Sequence, residues 1–219
     1  MSKKVLIVVT NESQFKNGNP TGLWLEEAAI PYKTFIKAGL EVDIASIKGG
    51  SVPIDPNSTQ NGETKEYHDV LEKMQHTYNI SDIVFEQYEG IFLPGGHGTV
   101  FDFPNNSDLE NMLAYYKNND KVIGAVCHGP SAFIGAKLPD GSYLVNDVKL
   151  TAFTDSEEKA MQLENDVPFL LQSQLEKQGA RFVQGTDFES HTVIDGKFVT
   201  GQNPNSSQEV AEKFVNIIK

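Results

Sequence analysis

The sequence is short of cysteine, of positive charge and of long apolar runs, and each shortage removes a class of protein. A single cysteine, Cys127, in 219 residues excludes an intrachain disulfide framework, and it points to a reducing, cytoplasmic setting. Lysine plus arginine number 18 against 30 aspartates and glutamates, a net charge of −12. A field of that sign repels polyanions, so neither nucleic acid nor an anionic membrane surface is expected as partner. The longest apolar run, Val5 to Val9, is five residues. A spanning helix needs about 20, and a secretory leader needs an apolar stretch of about 7–15 after its positive start, so Met1-Ser2-Lys3-Lys4 and this run fall short of both.

What is present reads as one globular unit. Hydrophobic residues make up 39% and charged residues 22% of the chain, near the globular norm. A chain this long buries roughly 70% of its unfolded surface, enough for one core, so residues 1–219 are taken as a single domain.

Periodicity predicts strands alternating with helices. Residues 5–10 form a β-branched run without alternation, the pattern of a strand buried on both faces. A helix is expected over 23–38, stopped by Gly39 and kinked or started by Pro31. Strands follow at 42–47 and 90–94, with a long polar loop at 49–62 and a helix at 66–77 between them. Ser107-Asp108-Leu109-Glu110 opens a helix to Tyr116. Residues 121–126 are a strand, and the chain from Gly129 reads as helical. Further on come a strand pair around Asn146-Asp147, a helix over 167–178, a strand over 181–184, a hairpin over 192–200 turning at Asp195-Gly196, and a closing helix over 206–219. This order implies a doubly wound α/β fold with a mostly parallel sheet between helices, a flavodoxin-like arrangement. Its ligands bind beyond the carboxyl ends of the strands.

One of those ends carries Ala125-Val126-Cys127-His128-Gly129-Pro130. A cysteine between small residues two positions either side, at a strand-to-helix turn, follows the logic of a nucleophile elbow. A following helix would favour the thiolate and present N–H groups to an oxyanion. The plain alternative is a buried structural cysteine, which gives no reason for the adjoining His-Gly-Pro. His68, His76 and His191 lack tight metal spacing and read as surface residues.

Gly124 to Pro130, with Leu93-Pro94-Gly95-Gly96-His97-Gly98, resembles the ThiJ/PfpI superfamily, which has the class I glutamine amidotransferase-like fold. Thr21-Gly22 before Glu27 and Pro31, Phe153-Thr154-Asp155 with Glu158, Asp195-Gly196-Lys197, and Thr200 to Pro204 make the chain similar to its branch of glyoxalase III enzymes and heat-shock chaperones. That resemblance implies a nucleophilic Cys127 and a Glu27 carboxyl sharing a proton with the thiol. It implies His128 as base with Glu158 as its acidic partner, and a Gly96 and His128 oxyanion hole with His97 beside it. Glu26 competes with Glu27, which the spacing from Thr21-Gly22 favours; Glu157 competes with Glu158. The implied chemistry needs no metal or other cofactor and converts methylglyoxal, a small dicarbonyl substrate, to lactate without glutathione, in a homodimer. A holdase chaperone, a cysteine redox sensor and a cysteine peptidase are the rival readings. An amidotransferase is weaker, because only His191-Thr192-Val193 stands near the place of its late His-x-Glu.

Overall fold

A computed structural model describes residues 2–60 and 65–219; Met1 of the lysine-led start and Gly62 at the close of the expected 49–62 loop lie outside them. The elements in chain order are β1 Lys4–Val9, α1 Leu25–Lys37, β2 Glu41–Ser46, α2 His68–Lys73, β3 Tyr78–Asn79, β4 Gly90–Leu93, α3 Thr99–Asp102, α4 Ser107–Asn118 and β5 Val122–Val126. They continue with β6 Lys149–Leu150, α5 Asp155–Ala160, α6 Leu171–Lys177, β7 Arg181–Phe182, β8 Thr192–Asp195, β9 Phe198–Gly201 and α7 Ser207–Ile218.

The main sheet runs β3-β2-β1-β4-β5-β9-β8, and among the described residues every neighbouring pair is parallel except β8 with β9. Strand β1 has no polar face because both of its faces are covered. Val5, Ile7 and Val9 enter one apolar layer with α1 and α7, while Leu6 and Val8 enter the other with α4. In the first layer Phe35, Phe92 and Phe214 meet with ring centroids 4.9 to 5.8 Å apart, a spacing suited to edge-on aromatic packing. In the second, Leu109, Met112, Leu113 and Tyr116 of α4 are buried. Asn106 caps that helix by accepting from the Asp108 and Leu109 N–H groups.

The doubly wound reading, the 192–200 hairpin and the closing helix agree with the structure. Helix α1 runs through Pro31 from Leu25, so the proline neither starts nor breaks it. Its missing N–H leaves the Glu27 carbonyl without its intrahelical donor. Three expectations are corrected. The 144–151 strand pair does not form: Leu144 and Val145 are buried in the second layer, Asp147 turns with φ 62°, and β6 pairs in parallel with β7 instead. The 167–178 helix begins only at Leu171: Pro168 disfavours helical backbone at Val167, and residues 168–170 are not helical. Most important for the site, no α-helix follows Cys127. A 3-10 stretch, Gly129–Phe133, gives way to extended Ile134 and left-handed Gly135.

Strand order reverses at β1 and β4, so the carboxyl ends of β1, β4 and β5 open onto one crevice. Residues 94–98 and Cys127 lie there.

Candidate active site

Cys127 adopts φ 58°, a left-handed conformation rare for a residue with a side chain. Such strain persists only where surroundings over-determine it, and here they do. The Cys127 N–H donates to the Gly201 carbonyl at 3.0 Å, and the Cys127 carbonyl accepts from the Phe153 N–H at 2.9 Å. Gly129 is required as well, because a Cβ there would stand 2.0 Å from the Leu93 carbonyl oxygen. The elbow therefore exists, but its apex is not exposed. Cys127 is 4% accessible and forms part of the floor of a pocket.

Beneath it lies Glu27, fully buried in the first turn of α1. Its Oε2 accepts the Gly95 N–H at 2.7 Å, and Oε1 has no hydrogen-bond partner. Burial pushes Glu27 up to about 8, against the Gly95 hydrogen bond and the neighbouring thiol, so it holds its proton at neutral pH. The alternative residue, Glu26, lines the pocket mouth. The thiol is also pushed up, by burial first and then by the Glu27 carboxyl, while the His128 backbone N–H pulls it down. This corrects the expectation of a thiolate favoured by a helix N-terminus. The macrodipole is missing, and the enclosed site disfavours two negative charges side by side.

His128 completes the centre. Its Nδ1 lies 3.3 Å from Cys127 Sγ, and its Nε2 lies 2.7 Å from Glu158 Oε2. The other oxygen of Glu158 meets His97 Nε2, also at 2.7 Å. Burial raises the Glu158 pKa, but charge and hydrogen bonding with His128 and His97 outweigh it and hold the carboxylate well below the usual range. An ionised Glu158 only accepts, so both rings carry their proton on Nε2. Burial and His97 hold His128 below its ordinary value. It is therefore neutral near pH 7, with the Nδ1 lone pair facing the thiol. The rings stack loosely, His97 on His128 at 4.1 Å and Phe153 on His128 at 4.4 Å between centroids.

Glu157 goes elsewhere. It forms the capping box of α5 with Thr154, which leaves Glu158 alone to face the histidines. His97, expected beside the oxyanion hole as a residue lining the pocket, does line it and also shares the carboxylate with His128. Gly96 lines the pocket with φ 95°, and a Cβ there would stand 2.2 Å from the Gly22 carbonyl oxygen. The cavity above Cys127 is ≈ 340 Å³, walled by Trp24, Phe153, Met161, Phe188 and Asn203 besides the residues above. Trp24, Met161 and Phe188 carry no motif that points to this role. Thr154-Asp155-Ser156-Glu157, by contrast, follows the capping-box pattern, which could have separated the two glutamates in advance. His97, His128 and Glu158 bring ligand atoms within 4.8 Å of one another, as a metal site would. Here both oxygens are already taken by ring N–H groups. His68 and His76 are exposed as expected, while His191 is half-buried with Nε2 donating to the Val183 carbonyl.

Fold and site together define a class: an open-sheet α/β protein with a cysteine on the bend after a central strand, backed by a protonated carboxyl and flanked by a histidine–glutamate pair. The DJ-1/PfpI family model matches residues 21–217, and the chain belongs to that family. It is 32% identical to "Glyoxalase 3" of Candida albicans over 97% of both chains. It is 29% identical to "Glutathione-independent glyoxalase HSP31" of Saccharomyces cerevisiae, over 99% of this chain and 98% of that one. The crystal structure of glyoxalase III from Candida albicans superposes with a TM-score of 0.91 at 31% identity, covering 99% of this chain and 98% of the other.

Proposed function

We propose that this protein is a glutathione-independent glyoxalase that converts methylglyoxal to lactate, with Cys127 as nucleophile. The observation that carries the reading is the orientation of His128: Nε2–H tied to an ionised Glu158, Nδ1 open toward the sulfur at 3.3 Å. A general base needs a third group to fix its ring in this way.

The sulfur bonds to the aldehyde carbon as its proton passes to His128 Nδ1, and the carbonyl pair becomes an oxyanion. Backbone N–H groups of Gly96 and His128 are assigned to hold that oxygen until it is protonated. His128 Nδ1 returns the thiol proton to that oxygen and, free again, removes the hydrogen from the same carbon, and the electrons form an enediol as the ketone oxygen gains a proton. Glu27, protonated up to about pH 8, serves as the reservoir beside the sulfur. Proton return to the second carbon gives a lactoyl thioester, which water cleaves to lactate and the free thiol. One carbon is oxidised and its neighbour reduced within the same molecule, so the route needs no glutathione, metal or nucleotide. The reading carries with it a single-domain chain acting in the cytoplasm as a homodimer on a small dicarbonyl. Among the described residues no helix is long and apolar enough to cross a membrane.

A redox sensor is less well supported, because its thiol should be acidic, and burial pushes that of Cys127 up. The test is lactate formation from methylglyoxal without glutathione. Cys127→Ser should abolish it; full turnover in that variant would refute the assignment of the nucleophile.

A further inference from the structure

Glu157 stands next to the catalytic pair's carboxylate, is fully buried and is not used by the chemistry above. Its hydrogen bonds have an unusual distribution. Oε2 accepts from the Thr154 N–H at 3.0 Å and from the Thr154 hydroxyl at 2.9 Å, which closes the α5 cap. Oε1 accepts from the Phe188 N–H at 2.7 Å, Asn203 Nδ2 at 2.9 Å and Gln202 Nε2 at 3.2 Å. No ion pair to Glu157 occurs among the described residues. The three donors on Oε1 come from two segments far apart in sequence, and Phe188 and Asn203 both line the pocket over Cys127.

Phe188 makes the arrangement informative. It is a non-glycine residue at φ 61° and 43% exposed, so its own packing does not secure that conformation. Its N–H is held by Glu157, its carbonyl accepts from Asn205 Nδ2 at 2.6 Å, and its ring meets Phe153 at 6.4 Å. Gln202 and Asn203 also donate to the carbonyls of Thr186 and Glu189 on either side of it. The Glu157 carboxylate is thus the shared acceptor that joins the turn carrying the outer aromatic wall to the segment after β9.

We propose that Glu157 is a positioning residue for the substrate, latching the 186–189 turn to the end of β9 so that Phe188 and Asn203 form a fixed wall over Cys127. Consecutive glutamates on α5 then divide the work: Glu158 orients the base, and Glu157 shapes the space in which the substrate meets it.

Glu157→Gln tests this, since an amide cannot present acceptors to both donor sets. Two readouts apply. Amide hydrogen exchange at Phe188 should be slow in the wild type and fast in the variant, while the Cys127 amide, bonded to Gly201, stays protected in both. KM for methylglyoxal should rise roughly 10-fold with kcat and its pH profile kept; this kinetic readout rests on the glyoxalase reading, and the exchange readout does not. An inactive wild type would therefore refute the earlier reading and leave the latch to be decided by exchange. Phe188→Ala should raise KM as well, and the double variant should rise no further than the larger single effect. If Glu157→Gln does not fold, Asn205→Ala removes an outer tie from the same turn and should raise KM in the same direction. Unchanged Phe188 exchange, additive KM effects, a KM equal to wild type in the folded variants, or a loss confined to kcat would each overturn the proposal.

Discussion

Glu158→Gln is the sharpest perturbation of the proposed base. The carboxylate now accepts an N–H from each of two imidazoles, 2.7 Å on either side. An amide has one oxygen and one NH₂, so it can serve only one ring in its present tautomer. The other must turn a lone pair toward the NH₂ and carry its proton on Nδ1 instead. If that ring is His128, its Nδ1 presents a proton to Cys127 and no longer acts as a base. A hydrogen bond to a charged group contributes about 1.5–3 kcal/mol, and about 1.36 kcal/mol of barrier is tenfold in rate. The loss at His128 alone therefore predicts a kcat reduced by about 10- to 150-fold. The pH profile gives an independent sign. Burial and His97 lower the His128 pKa and Glu158 raises it, so removing the charge lowers it further. The acidic limb of kcat/KM should move to lower pH. Steady-state lactate formation across pH measures both. An undiminished kcat, or an acidic limb displaced upward, would sink the role given to Glu158.

Two more predictions concern stability. Glu27 has a folded-state pKa near 8 against an ordinary 4.5, so its contribution is fully present below 4.5 and is lost as pH rises toward 8, at about 1.4 kcal/mol per pH unit. Glu27→Gln mimics the protonated carboxyl and should lose less stability than wild type between pH 5 and pH 8 in urea titrations, while turnover falls; parallel stability curves would contradict the buried protonated state. Phe214→Ala removes the ring shared by Phe35 and Phe92 and should destabilise the fold by about 3–5 kcal/mol; a loss under about 1 kcal/mol would show that this layer repacks freely.

The sheet was legible because its strands carry their burial in their composition. An unbroken apolar β1 has nowhere to go but the middle of a parallel sheet, and the Asp195-Gly196 turn declares a hairpin. The position of Cys127 between small residues marked the elbow, and the spacing from Thr21-Gly22 to Pro31 selected Glu27. The short 3-10 stretch from Gly129 was not legible, because Pro130 fits the start of an α-helix equally well and left-handed Gly135 comes only six residues on. The walls of the pocket over the thiol, Phe153, Phe188 and Trp24, come from three distant segments. Neither Trp24 nor Phe188 has a local pattern that announces such a place. Phe188 is the extreme case, since nothing about phenylalanine signals left-handed backbone.

Cys127's own part in the bend is held through its peptide groups, one to Gly201 and one to Phe153. Neither contact reads the identity of the side chain at the apex. The scaffold consequently presents whatever residue occupies that point in the same orientation, and the reactivity is written by the ring of groups around it. A frame of this kind is free to change its chemistry by exchanging neighbours such as Glu27 or His128 while the sheet beneath stays as it is.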